Sequence, residues 1–252
     1  MRRVFVPPGA IQRDRAVLTD PEQLHHLLRV LRVKTGDALE CFDGEGRSYA
    51  GRVIKHSSGE LVVQFDTALP EPPAALQITL AVSLIKLDRF EWMVQKATEL
   101  GVDRLLPLVT ARTIIRPSSA QAERRLERWR RIIRQAAEQC GRRRLPEIEA
   151  PQPFERFVEG CVGEPCILMP TLGRQTIPLR EGLAALAERG AVIILIGPEG
   201  DFTPEETRLA VRRGARLVSL GALTLRSETA ALATLAVVRY VSESWNIMKR
   251  GS

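Results

Sequence analysis

The sequence predicts an α/β protein, a parallel sheet with helices on both faces, preceded by a small and mostly β domain. Three observations predict it. After residue 75, short apolar runs alternate with amphipathic helical patterns, as expected of strands buried on both faces. Before residue 70, short strand patterns surround one helical segment, which suggests a small barrel. Between them, PEPPAA at 70–75 interrupts both helix and ladder, and the composition changes on either side. The expected organisation is a domain over 1–70, a linker over 71–75 and a domain over 76–252.

In the first domain, ALECFD at 38–43 precedes the turn-rich GEG. RSYAGRVIKH then leads through SSGE into LVVQFD, where Leu61, Val63 and Phe65 recur with the period of a half-buried strand. PEQLHHLLRVL fits one short helix, with Thr19 as N-cap and Pro21 in its first turn.

In the second domain, QITLAVSLI reads as a strand. DRFEWMVQKATELG reads as a helix with Phe90, Met93, Val94, Ala97 and Leu100 on one face and Gly101 as its stop. RLLPLV is a strand, and a long basic helix follows over about 121–140, ending at Gly141. CILM is a strand, PLREGLAALAERG a helix, and VIILIG a strand. PEETRLAVRR is a helix stopped by Gly214, RLVSLG a strand, and the last helix runs from Glu228 to about Trp245.

Composition bounds the function. The 252 residues are 44% apolar and 27% charged, the balance of a soluble globular chain. No apolar run reaches the roughly 18 residues of a membrane helix, and the N-terminus lacks an apolar leader. Cys41, Cys140, Cys161 and Cys166 lack paired metal spacing, and the three His form no ligand set, so no metal is expected. A reducing cytoplasm is the simplest setting. The net charge of +7 suggests a polyanionic partner, and only five of the 37 basic residues are Lys. Arginine's planar fork grips phosphate with two hydrogen bonds.

The chemistry is concentrated in loops that follow strands. The apolar run at 192–196 stops at Gly197-Pro198-Glu199-Gly200. A helix then starts at once, with Thr203 as N-cap, Pro204 at N1 and Glu206 completing a capping box. In open α/β sheets, ligands sit at the carboxyl ends of strands. This loop is neither a Walker loop nor G-x-G-x-x-G, and Glu199 would repel phosphate. Alone it could be a tight structural turn. A second loop, ALTLRSETAALATL, follows the next strand and supplies Leu220, Leu223, Leu225, Arg226, Glu228 and Thr229. A third strand end, LMPT, has the same form. Together such loops could build an apolar slot for a flat ring, lined by backbone groups and tolerant of a cationic cofactor. S-adenosylmethionine has both features.

LIGPEGDF, LGALTLRSETAALA, QKATELG and EQCGRRRLPEI together resemble the bacterial 16S ribosomal RNA uridine-N3 methyltransferases of the SPOUT superfamily. VLRVKTGDALECFDGEG resembles that family's N-terminal PUA-like domain, so the likeness covers nearly the whole chain. One departure is Asp201, where the family often has glycine. The resemblance implies a SPOUT-type parallel sheet with a C-terminal trefoil knot, a PUA-like β-barrel, and a homodimer in the cytoplasm. It implies a cofactor site for S-adenosylmethionine formed by Met169, Pro170, Thr171, Ile196, Gly197, Pro198, Glu199, Gly200, Leu220, Gly221, Leu223, Leu225, Thr229 and Ala230. The substrate implied is 16S ribosomal RNA in the small subunit.

Methylation of N3 requires the uridine to lose a proton and to be unpaired or splayed out. Arg226 is the candidate that stabilises the developing uridine anion; the alternative is an ion pair with Glu228 or Glu199. Glu199 or Glu228 either accepts the proton or positions other groups. RNA contacts are expected from Arg2, Arg3, Arg29, Arg32 and Lys34, and from Arg142, Arg143 and Arg144. Arg29 and Arg32, three apart, are expected on one helix face. Ribose 2′-O-methylation and non-catalytic RNA binding are the alternative functions.

Overall fold

A computed structural model of the chain describes residues 2–57, 59–70, 76–161, 166–173, 175–184 and 190–250, with side chains as far as 242. It contains two compact units. The first comprises residues up to 73 together with 137–145, and the second holds 74–136 and everything from 146. The expected linker at 71–75 lies outside the described residues.

The first unit contains β1 (Arg2–Phe5), β2 (Ile11–Gln12), β3 (Arg15–Leu18), α1 (Pro21–His25), β4 (Ala38–Phe42), β5 (Ser48–His56) and β6 (Leu61–Leu69). The strands form one six-stranded sheet in the order β1-β4-β5-β6-β3-β2. Only the β1–β4 pair is parallel. Alternation along β6 buries Leu61 and Val63 against Val4, Leu18, Leu27, Leu39 and Val53, and Phe65 packs at the margin of this core. The three strands nearest the N-terminus are too short to give a periodic signal in the sequence.

The helix cap is Asp20 rather than Thr19: the Asp20 carboxylate accepts from the Gln23 amide at 2.8 Å. With Pro21 at N1, the residue before it is the one whose side chain can reach the N3 amide. The helix widens into a π turn over His26–Val30. It closes when the Val33 amide donates to Leu27 O at 2.9 Å, six positions back, one wider than the closing bond of a Schellman motif, as suits the end of a π turn. Arg32, at φ 52°, occupies the left-handed position that glycine usually takes there. Arg29 is therefore helical and Arg32 lies beyond the helix, so the expected shared face is not formed.

The second unit contains β7 (Gln77–Ser83), α2 (Leu87–Glu99), β8 (Arg104–Val109), α3 (Ser119–Cys140), β9 (Glu147–Ile148), β10 (Gln152–Pro153), α4 (Phe154–Glu159), β11 (Cys166–Pro170), β12 (Ile177–Pro178), α5 (Leu179–Leu183), β13 (Ala191–Ile196), α6 (Pro204–Arg212), β14 (Ala215–Ser219) and α7 (Ser227–Arg250). The last four residues of α3, from Ala137, belong to the first unit. Every strand pairing is parallel, in the order β10-β8-β7-β13-β11-β14-β12, with β9 beside β8. The apolar runs are buried as expected: Leu106, Ile167, Met169 and Leu195 form one core with Phe154, Phe202 and Ala210. The α2 stripe of Phe90, Met93, Val94 and Ala97 is buried and Phe90 packs on Trp129 at 4.8 Å, while Leu100 is half-buried at the C-cap. Gly101 (φ 86°) and Gly214 (φ 89°) are the expected stops. The expected helix over 178–190 is described only as α5; residues 185–189 lie outside the described residues. No helix among the described residues is long and apolar enough to cross a membrane.

Two arginines of the first unit converge on one buried acid. Glu40 is 5% exposed, and its carboxylate accepts from Arg3 Nε and from Arg143 Nε, each at 3.0 Å. Arg143 also donates to Pro70 O at 2.6 Å. The Arg3 guanidinium fills the space beside Gly141, where an added Cβ would meet it at 2.7 Å. These two side chains tie residues 141–145 to the sheet. Removing the sole partner of a buried charge costs about 3–5 kcal/mol. Because Arg3 would remain, Arg143→Ala should destabilise the protein by about 2 kcal/mol, whereas Arg32→Ala should cost less than about 0.5 kcal/mol. Urea melts would measure both, and equal midpoints would show that Glu40 does not hold this segment.

Candidate active site

Parallel pairing places the carboxyl ends of β13, β11 and β14 side by side, because β11 lies between the other two. The three loops singled out in the sequence leave from these ends. They begin after Pro170, after Ile196 and after Ser219. What is scattered over some 60 residues of chain therefore meets at one edge of the sheet.

The loop after β13 is built as the sequence predicts at its far end. Thr203 caps α6, its hydroxyl accepting from the Glu206 amide at 3.2 Å while the Glu206 carboxylate accepts from the Thr203 amide at 2.8 Å. Glu206 is buried, and its second oxygen accepts from the Ala111 amide at 2.8 Å, which ties α6 to the turn after β8. Arg112 in that turn donates to Gly200 O and Phe202 O. At Gly197 and Gly200, two residues implied for the cofactor site, the space on the side of an added Cβ is filled by protein: a Cβ on Gly197 would meet Asp201 and the Phe202 ring at 3.1 Å, and one on Gly200 would meet Arg112 at 3.3 Å.

Some expected site residues are core residues by their side chains. Met169 is fully buried, Ile196 is 2% exposed, and Pro170, Gly197 and Pro198 are buried, so they can offer backbone only. Thr171, Leu220, Leu225 and Ala230 are half-buried, and Glu199, Gly200, Gly221 and Thr229 are exposed. Leu172 and Leu223 leave 67% and 79% of their surface uncovered at this edge. Two leucines left bare beside strand ends fit a flat apolar ligand face better than a phosphate.

The cation nearest both carboxylates is one the sequence does not single out. Arg89, in the first turn of α2, lies 4.0 Å from Glu199 and 3.9 Å from Glu228. It, and not Arg226, is the ion-pair partner of both. Glu228 is buried, with one oxygen facing Arg89 and its Oε2 lacking any hydrogen-bond partner among the described residues. A buried carboxylate oxygen left open is costly unless a donor or cation arrives to fill it. Arg226 is exposed, begins α7 by accepting from the Ala230 amide at 2.8 Å through its carbonyl, and has no ion pair among the described residues. Uncovered leucines, backbone groups and an open buried carboxylate oxygen suit an aromatic, cationic ligand such as S-adenosylmethionine. Among the described residues no group of three His, Cys, Asp or Glu could hold a metal.

The basic residues of the first unit divide. Arg3 and Arg143 are committed to Glu40, Arg2 lies 3.1 Å from Asp37, and Arg142 donates to Arg144 O at 2.5 Å. Arg29, Arg32 and Lys34 are exposed and form no side-chain ion pair among the described residues.

Comparison with known proteins agrees with this architecture. An RNA methyltransferase domain family matches residues 72–239, and an RNA methyltransferase PUA domain family matches residues 18–66. The ribosomal RNA small subunit methyltransferase E of Synechocystis is 36% identical over 96% of this chain and 78% of its own length. The Bacillus subtilis protein of the same name is 27% identical over 88% of this chain and 89% of its own. A methyltransferase of Legionella pneumophila, solved with bound SAM, superposes with a TM-score of 0.85 at 29% identity, over 95% of this chain and 97% of its own. The small subunit methyltransferase E of Neisseria gonorrhoeae, bound to S-adenosyl methionine, gives 0.83 at 27% identity, over 96% and 98%. With an RNA methyltransferase domain, a PUA domain and this chain-long likeness, the chain belongs to the ribosomal RNA small subunit methyltransferase E family.

Proposed function

We propose that this protein is an S-adenosylmethionine-dependent methyltransferase that modifies N3 of a uridine in 16S ribosomal RNA of the small subunit. The observation that carries the reading is the chain-long likeness to a small subunit methyltransferase E, 36% identical over 96% of this chain, together with the 0.83 TM-score to one bound to S-adenosyl methionine. At the edge, Arg89 lies beside both Glu199 and Glu228, and Arg226 has no ion pair among the described residues. When bound, the cofactor supplies an electrophilic methyl group. The backbone of residues 169–171, 196–200 and 220–225, with Thr229 and Ala230, would hold it, and Leu172 and Leu223 would cover its apolar face.

The residues divide the remaining work. Arg226 donates to a carbonyl oxygen of the uridine as N3 gives up its proton; it cannot itself be the base, because a guanidinium stays protonated. Glu228 Oε2, buried and open, is the better acceptor for that proton, and Glu199, more exposed, positions Arg89. Alignment of the two reactants contributes much of the acceleration.

The finer architecture belongs to the same reading. In it, 1–70 are the PUA-like RNA-binding barrel, 71–75 the linker and 76–252 the SPOUT domain, except that residues 137–145 belong to the first compact unit. A trefoil knot is supported by α7, which leaves the end of β14 yet packs on β13, β7 and α2. A homodimer is supported by Val237 and Tyr240 on α7, which leave 41% and 73% of their surface exposed. Action on ribosomal particles, with four free cysteines, fits the cytoplasm.

Mass mapping of small-subunit RNA from cells lacking this protein tests the reaction directly, the expected result being one uridine without its N3 methyl. For the catalytic role, Arg226→Ala should lower the single-turnover rate on small-subunit particles by a factor of about 100 to 1,000, with little change in cofactor affinity. A normal rate at saturating cofactor and RNA would remove Arg226 from the chemistry. For RNA docking, reversing the charge of Arg29 and Arg32 should weaken RNA binding far more than cofactor binding and flatten its salt dependence. Filter binding across a salt series decides, and an unchanged slope would exclude phosphate contact at these two positions.

A further inference from the structure

Asp201 has no part in the chemistry proposed above, yet it is tightly constrained at this edge. Its φ is 60°, the left-handed region that residues with a Cβ occupy when surrounding contacts over-determine them. Its amide donates to Pro198 O at 2.9 Å, and its Oδ1 accepts from the Phe202 amide at 2.8 Å. Those two contacts lie within its own loop. The other carboxylate oxygen reaches a different one: Oδ2 accepts from Thr171 Oγ1 at 2.7 Å and from the Leu172 amide at 3.2 Å. Both donors lie in the loop after β11. The Thr171 amide in turn donates to Val218 O of β14 at 3.2 Å, so the clasped loop is fixed from both sides.

We infer that Asp201 is a positioning residue for the cofactor: its carboxylate fastens the loop after β11 to the loop after β13 and holds that side of the pocket in place before the ligand arrives. The inference rests on the reading of this edge as the S-adenosylmethionine site. A loop ordered in advance need not be ordered on binding, which raises affinity without adding a contact. A glycine at this position accepts the left-handed backbone freely but has nothing to reach Thr171. The carboxylate is what this chain gains from a backbone conformation that suits glycine better.

Three variants test it: Asp201→Gly, Thr171→Val and the two combined. Asp201→Gly relieves the backbone and removes the clasp, so it should melt at or above the wild-type temperature. In the ligand-free protein its Leu172 amide should exchange faster with solvent. Its affinity for S-adenosylmethionine, measured by calorimetry, should fall about tenfold, a typical size for one coupling between neighbouring groups. Thr171→Val, which leaves the backbone at 201 untouched, should reproduce the loss of affinity, and the double variant should be no worse than Asp201→Gly alone. Lost protection at Leu172 with unchanged affinity overturns the positioning role and leaves the pocket's assignment standing. A lower melting temperature with unchanged affinity makes Asp201 a folding residue and also overturns it. Should Asp201→Gly fail to fold, Thr171→Val decides, and unchanged affinity there overturns the inference. A wild-type protein that binds no S-adenosylmethionine overturns the pocket's assignment and the clasp's purpose together.

Discussion

The arrangement of the candidate site depends on parallel pairing of β13, β11 and β14. Parallel neighbours present their carboxyl ends at one edge, so the loops that leave them are neighbours by construction. Each strand is an apolar run that must be covered on both faces, which forces every connection through a helix or crossover. The loops are thereby relieved of spanning the sheet and are left to shape a pocket. The register matters too, since Leu168 pairs with Ile194 on one side and Arg216 on the other, so the three chains leave the sheet near one level.

On this frame, charge is distributed in a repeated way: acids are paired with arginines that the sequence either assigns to RNA, as with Arg3 and Arg143, or gives no reason to single out, as with Arg89. In the first unit Glu40 is held by Arg3 and Arg143, and in the second Glu199 and Glu228 share Arg89. A buried ion pair is weak evidence for stability, but losing one member leaves an uncompensated charge, so the pair fixes an arrangement. Arginine richness therefore has two meanings here. Some guanidiniums are internal fasteners, and others, Arg29, Arg32 and Arg226 among them, carry no such commitment among the described residues. Total charge cannot separate the two.

The backbone of the loop after β13 is set by small local needs. Gly197 makes room for Asp201 and Phe202, Gly200 for Arg112, and Asp201 holds φ 60° while bonding three donors. The loop is held by its own protein contacts, as a site that must align two reactants requires.

By itself, the sequence determined the layers and the local starts and stops of their elements. Continuous apolar runs gave the parallel strands, Phe90, Met93, Val94 and Ala97 gave the buried stripe of α2, and Thr203-Pro204 with Glu206 gave the start of α6. These are local features, fixed by side-chain periodicity and by hydrogen bonds within four residues. The cap at Asp20 was missed by one position, because Thr19 and Asp20 offer the same chemistry and only geometry chooses between them. The tertiary structure alone decided which loops touch and which acids find which bases. Thr171 and Asp201 are 30 positions apart, Arg89 is more than 100 from both Glu199 and Glu228, and Glu40 is 103 from Arg143. No periodicity spans such distances; they close only when strand order brings the chain back upon itself.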